Sequence, residues 1–212
     1  MKGQFIVFEG IEGGGKSSQM AQTAQWLSQG GLGKPVEVLQ TREPGGTQLG
    51  QKLRSLLLSD HSFHVNYRSE LLLYAADRAQ HVNELLKPEL EQGKIILCDR
   101  YIHSTTAYQG YGRGLDLELI QQLNKIASDG LESDLTLWLD VAIQTGLERV
   151  KKRGKRDRLE KADIAFHQRV RQGYEDLANQ FPQQIFRIDA NQSEQAVQSQ
   201  IQTLLKTLVI SH

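Results

Sequence analysis

Gly10-Ile11-Glu12-Gly13-Gly14-Gly15-Lys16-Ser17 decides how this 212-residue chain folds. The stretch fits G-x-x-x-x-G-K-[ST], the phosphate-binding P-loop. Glycines let successive backbone N–H groups turn inward around an anion, where side chains would obstruct it. Residues Gly10, Ile11, Glu12, Gly13, Gly14 and Gly15 are therefore expected to cradle phosphates. Lys16 is placed to reach the β- and γ-phosphates, and the Ser17 hydroxyl to ligate Mg²⁺. The context agrees with the motif. Residues 4–8 form a β-rich apolar run just before the loop, and Met20, Ala24 and Leu27 follow at helical spacing. The helix so predicted points its positive N-terminal end at the anion.

Working outward, the same strand-then-helix pattern repeats. Apolar runs at 36–39, 94–98, 135–139 and 184–188 read as further strands, each followed by helical periodicity. Thr47 and Asp116 are expected helix caps, and Ser193 opens the last helix. A long helix is expected over about 68–92, bent or divided at Pro88. Residues 60–66 and the glycine-rich 108–115 are expected to be loops. Five strands alternating with helices imply an α/β protein, a three-layer α/β/α arrangement around a five-stranded parallel sheet. With no linker, repeat or low-complexity tract, residues 1–212 are expected to form a single domain.

The totals narrow the class of function. There are 25 basic and 25 acidic residues, so no global charge draws the chain to nucleic acid or to anionic membranes. No apolar run approaches the ~20 residues that cross a bilayer, and no signal-type segment opens the chain. The lone Cys98 allows no intrachain disulfide and reads as a small buried hydrophobe. A cytoplasmic location is the expectation.

In a parallel α/β sheet, ligands sit at the carboxyl ends of the strands. Three of those ends carry chemistry here: Glu9 and the P-loop, then 42–46 (Arg-Glu-Pro-Gly-Gly), then Asp99-Arg100-Tyr101. Asp99, after an apolar strand, is a candidate Walker-B carboxylate opposite Ser17, and Arg100 a candidate phosphate fork. Residues 151–158 hold six basic side chains in eight. They read either as a solvated or nucleic-acid-binding patch or as a lid that brings arginines over a triphosphate; the P-loop favours the lid, at about 149–161. His61 and His64 lack carboxylates at metal-binding spacing. Asn124-Lys125-Ile126-Ala127 lacks the carboxylate of a guanine-reading motif, which argues against a GTPase.

Taken together, residues 8–17, 41–47, 74–81, 99–101, 108–114 and 157–160 resemble bacterial thymidylate kinases, in order along nearly the whole chain. The resemblance implies a P-loop nucleoside-monophosphate kinase fold and transfer of the γ-phosphate of ATP to dTMP. It implies Mg²⁺, no nucleic-acid or membrane partner, and a homodimer. It places Glu12 near the dTMP sugar, Tyr74 stacked on thymine, Arg78 hydrogen-bonded to the base, and Thr105 and Gln109 reading it. Tyr108 falls near the deoxyribose, and Ser104 belongs to the same dTMP site. Glu43, Arg54 and Arg100 surround the acceptor phosphate and metal, while Ser17 and Asp99 hold the metal. Arg149 and Arg153 match lid arginines and, with Lys16 and Arg100, form the expected catalytic set. Because Gly13 stands where one variant of the family carries an arginine, the chain resembles the lid-arginine type. Two departures are Tyr74, commonly Phe, and His103, often acidic. A kinase for another small nucleotide such as dUMP, and a nucleic-acid-binding ATPase, are the competing readings.

Overall fold

The structure is a computed structural model. It describes residues 3–59, 63, 65–154, 158–160 and 162–209. His61, His64, part of the 60–66 loop, and Lys155, Arg156, Asp157 and Lys161 of the basic segment lie outside the described residues.

The described residues form a five-stranded, all-parallel sheet in the order β2-β3-β1-β4-β5. The strands are β1 (Gln4–Glu9), β2 (Val38–Arg42), β3 (Ile95–Asp99), β4 (Leu135–Asp140) and β5 (Ile185–Asp189). Burial follows place in the sheet. Every residue of β4 and all but the first of β1 are buried, whereas the edge strands β2 and β5 keep partly exposed positions. Side-chain alternation splits β1 between two apolar layers. Ile6 and Phe8 pack with Leu97, Leu137, Leu27 and Ile201, the last two from α1 (Lys16–Ser28) and α9 (Glu194–Val209). Phe5 and Val7 pack on the other face with Ile96, Cys98, Val82 and Leu86. Both faces are thus covered, which is the expected three-layer arrangement, and Cys98 is the small core residue it was read to be.

Capping went as the residue types require. Thr47 Oγ1 accepts from Gly50 N at 3.0 Å to start α2 (Gln48–Leu58), and Asp116 Oδ1 from Leu119 N at 2.8 Å to start α6 (Leu117–Ser128). Other expectations shift. The second strand begins at Val38 rather than 36 and runs into the expected loop as far as Arg42. The reason is pairing, not apolarity: Val38 to Arg42 match Ile95 to Asp99 in register. The long 68–92 helix is three pieces: α3 (Tyr67–His81), a π-helical turn (Val82–Leu86) and α4 (Lys87–Glu91). Pro88 sits in the first turn of α4, where its missing N–H costs nothing, and the wider turn upstream absorbs the break.

The glycine-rich 108–115 is a turn and loop only at 113–115. After the short α5 (Ile102–Thr105) the chain continues as a π-helical stretch over Thr106–Gly112. Its glycines serve close packing: a Cβ on Gly112 would lie 2.6 Å from the Phe166 ring, and one on Gly110 2.5 Å from Leu117. The remaining helices are α7 (Ile143–Arg153) and α8 (Ile164–Gln180). No helix among the described residues is long and apolar enough to cross a membrane.

Candidate active site

Sheet register brings the three informative strand ends together, because Asp99 lies opposite both Phe8 and Arg42. They border a cavity of about 600 Å³. Its wall includes Glu12, Gly13, Gly15, Lys16, Ser17, Glu43, Arg54, Tyr74, Arg78, Asp99, Arg100, Ser104, Thr105, Tyr108, Gln109, Arg149 and Arg153. Gly10, Ile11 and Gly14 stand behind the wall. Gly10 and Ile11 turn their carbonyls to Lys16, whose Nζ donates to each at 3.0 Å. Burial, then the Arg100 charge, lowers the Lys16 ammonium to about 8.

At the metal corner, Ser17 Oγ donates to Asp99 Oδ2 at 3.3 Å. Asp99 Oδ1 is buried with no hydrogen-bond partner. One hydroxyl and one carboxylate with a spare oxygen suit Mg²⁺, which keeps several waters and binds through phosphates rather than in a protein cage. No group of three or more His, Cys, Asp or Glu that could hold a metal ion is found among the described residues.

Arg100 organises the centre. It holds φ at +75°, a strained backbone for a non-glycine residue, and its N–H donates to Phe8 O at 2.9 Å. Its guanidinium donates to Glu12 Oε1 at 2.8 Å, Gly10 O and Ser104 Oγ at 3.0 Å, and Tyr108 OH at 3.1 Å. The Tyr108 hydroxyl in turn donates to Glu12 at 2.7 Å. Burial works against the Glu12 charge, but Arg100 and Lys16 outweigh it and hold that carboxyl below its ordinary value.

The other end of the cavity is built on Arg78. Its three guanidinium nitrogens reach Glu43 Oε2 at 2.8 Å, Asn124 Oδ1 at 2.7 Å and Thr105 Oγ1 at 2.9 Å. Glu43 also pairs with His81 Nδ1 at 2.9 Å. Tyr74 and Gln109 complete this end. Arg42 and Arg54 face it; burial and the neighbouring Arg42 press Arg54 below its ordinary value, as expected of cations crowded where an anion belongs.

A profile of the thymidylate kinase family matches residues 8–201. The chain is 55% identical over 216 residues to a thymidylate kinase of Trichodesmium erythraeum (strain IMS101), covering 97% of this chain and 96% of that one. It is 56% identical over 209 residues to one of Nostoc sp. (strain PCC 7120 / SAG 25.82 / UTEX 2576), covering 97% and 96%. The chain belongs to the thymidylate kinase family. The crystal structure of thymidylate kinase from Ehrlichia chaffeensis superposes with a TM-score of 0.78 at 35% identity, covering 97% of this chain and all of that one.

Against the family pattern, several details sharpen. His103 does not alter the acceptor wall: it is buried outside it, and burial, then Arg78, pushes its imidazole down to about 4. Of the two arginines expected in the lid, Arg149 donates to Gly13 O at 3.1 Å, against the P-loop itself. Arg153 pairs with Glu160 and keeps a side chain 62% exposed. Arg158, a further arginine of the basic segment, is not on the cavity wall and bonds to Glu70.

Sequence reasoning placed Arg42 and Glu9 at strand ends that face the site but gave neither a role. Glu9 accepts from Tyr101 N, Ser104 N, Ser104 Oγ and Tyr174 OH at 2.5–3.0 Å, so it pins the 99–104 turn. Burial pushes its carboxyl up, and Arg100 with these donors holds the rise back.

Asp77 was also missed. It is buried beneath the 43–47 loop, where Oδ1 accepts from Gly45 N at 3.0 Å and Oδ2 has no partner. Burial and then the Glu43 charge raise it from 3.8 to about 6. Between those values the folded chain holds a proton that the unfolded chain has lost, so stability falls as pH rises through that window. Asp77→Asn keeps the acceptor for Gly45. It should therefore raise stability at pH 7.5 by on the order of 1–3 kcal/mol, an advantage gone by about pH 4. Thermal melts across that range check this; a variant less stable than wild type at every pH would contradict it.

Proposed function

We propose that this chain transfers the γ-phosphate of ATP to dTMP, as one catalytic unit spanning residues 1–212 with a basic lid at about 149–161. The single observation that carries the site assignment is the shared cavity. Its P-loop end offers Lys16, Ser17 and Asp99; its other end offers an aromatic, Tyr74, beside the polar groups Arg78, Thr105 and Gln109. An aromatic face with a few fixed polar groups selects a base, and the cations between the ends suit two phosphates brought head to tail.

Phosphoryl transfer asks a protein for position and charge more than for covalent chemistry. Lys16 neutralises the donor phosphates, and Arg42, Arg54 and Arg100 hold the acceptor phosphate, an anion that needs no strong general base. Mg²⁺, held by Ser17 and Asp99, would neutralise charge on the donor phosphates. Glu12 and Tyr108, bonded to each other, crowd the sugar position and disfavour a 2′-hydroxyl.

The remaining cation comes from the lid. Gly13 has φ +74°, and a Cβ there would stand 2.2 Å from Gly146 O, so this P-loop backbone has no room for an arginine. Arg153→Ala should lower kcat by about tenfold or more, with the KM for dTMP nearly unchanged. An unchanged kcat would move the role to Arg149.

The ATPase alternative is disfavoured because the family profile and the relatives over 50% identical are thymidylate kinases along nearly the whole chain. A homodimer and a cytoplasmic location complete the proposal. Exposed Leu49, Leu72 and Ile126, on α2, α3 and α6, with α3 packed against both of the others, support the dimer. An ADP-release assay across dTMP, dUMP and dCMP tests the substrate reading; dTMP should give the highest kcat/KM, and a preference for dCMP would sink it.

A further inference from the structure

Behind the cavity wall, one buried carboxylate joins two parts of the chain that serve opposite sides of the site. Glu70, in the first turn of α3, is fully buried. Its Oε1 accepts from Gln109 Nε2 at 2.9 Å, and its Oε2 accepts from Arg158 Nη2. Arg113 adds longer contacts of 3.4 Å to both oxygens. Gln109 lines the cavity, whereas Glu70 and Arg158 do not.

Arg158 is an anchor on its own side too. Its Nε donates to Leu57 O at 3.2 Å and its backbone N–H to Leu58 O at 3.3 Å, both at the end of α2. The next two residues, Leu159 and Glu160, are on the cavity wall, and Glu160 holds Arg153. Arg158 thus fastens the wall-forming residues 159–160 to α2 and to Glu70.

The chemistry of the carboxylate decides how Gln109 is presented. Burial works against the Glu70 charge, but Arg113, Gln109 and Arg158 outweigh it and hold the group below its ordinary value. An ionised carboxylate only accepts hydrogen bonds, so Gln109 must give it the amide nitrogen. The amide is thereby set one way round, with its oxygen kept as an acceptor.

We propose that Glu70 is a positioning residue that couples the two sides of the site, orienting the Gln109 amide toward the acceptor base and, through Arg158, holding residues 158–160 with the Glu160–Arg153 pair against the cavity. This rests on the reading of Gln109 as a base contact. Coupling is reciprocal: what tightens one side tightens the other. Loss of Arg158 should therefore weaken dTMP binding although Arg158 is not on the wall.

The test is calorimetric titration of dTMP, without ATP, into wild type, Arg158→Ala, Gln109→Ala and the double variant. Arg158→Ala should weaken binding by roughly threefold to tenfold. Gln109→Ala should weaken it more, and the double variant should fall short of the product of the two effects. Loss of structure alone would lower melting temperature without that shortfall. Glu70→Gln should show the same weakening; because it leaves two arginines beside an uncharged site, the partly exposed Arg158 is the primary variant. Normal dTMP binding by Arg158→Ala beside weak binding by Gln109→Ala overturns the coupling and leaves the base site standing. Strict additivity overturns it as well. Normal binding by Gln109→Ala overturns the base-site reading and the coupling with it.

Discussion

Lys16→Ala should lose at least roughly 10³-fold in kcat while still folding. The side chain is buried at the P-loop, with its ammonium directed by Gly10 O and Ile11 O rather than by a carboxylate. It is held in place for a charge that develops on the transferred phosphate, and a preorganised donor in a low-dielectric site has its greatest effect there. Folding should survive because Lys16 opens α1 and takes no part in the apolar layers that hold the sheet. Steady-state kinetics with circular dichroism separate the two effects. Near-normal turnover would remove the P-loop from the chemistry; loss of structure would show that Lys16 is a folding residue instead.

The second large effect is expected at Arg100. Its guanidinium is the cation between Glu12 and the 99–104 turn, with the Tyr108 ring under it at 4.8 Å. Arg100→Met would leave Glu12 buried without its partner and would remove the fork facing the acceptor phosphate. We expect a stability loss of about 3 kcal/mol and at least a hundredfold rise in the KM for dTMP. Arg100→Lys should recover part of the stability and little of the KM, because an ammonium cannot span Glu12, Gly10 O and Ser104 at once. Denaturant unfolding and steady-state kinetics check both halves. Full recovery of KM by lysine would show that charge alone, not the fork, binds the acceptor.

What could be read in advance follows the range of the interactions. The P-loop, the buried strands and the caps at Thr47 and Asp116 are local, and each is written in a few adjacent residues. The π-helical 106–112 stretch was hidden because its glycines signal a loop, while they are there to let Phe166 and Leu117 approach. Glu9 was unassigned because one of its partners, Tyr174, lies 165 positions away. The Glu70–Arg158 pair spans 88 positions, so a run of basic residues gave no sign that one of them faces inward. The family pattern supplied the wall residues Tyr74, Arg78 and Gln109; it did not supply the buried acids Glu9, Glu70 and Asp77 that hold those elements in place.

The most direct test is transfer of label from γ-labelled ATP to dTMP by the purified protein with Mg²⁺. The account predicts stoichiometric labelled dTDP and unlabelled ADP, with little inorganic phosphate released and no stimulation by DNA. ATP hydrolysis to inorganic phosphate without labelled dTDP, or with DNA-dependent turnover, would contradict it.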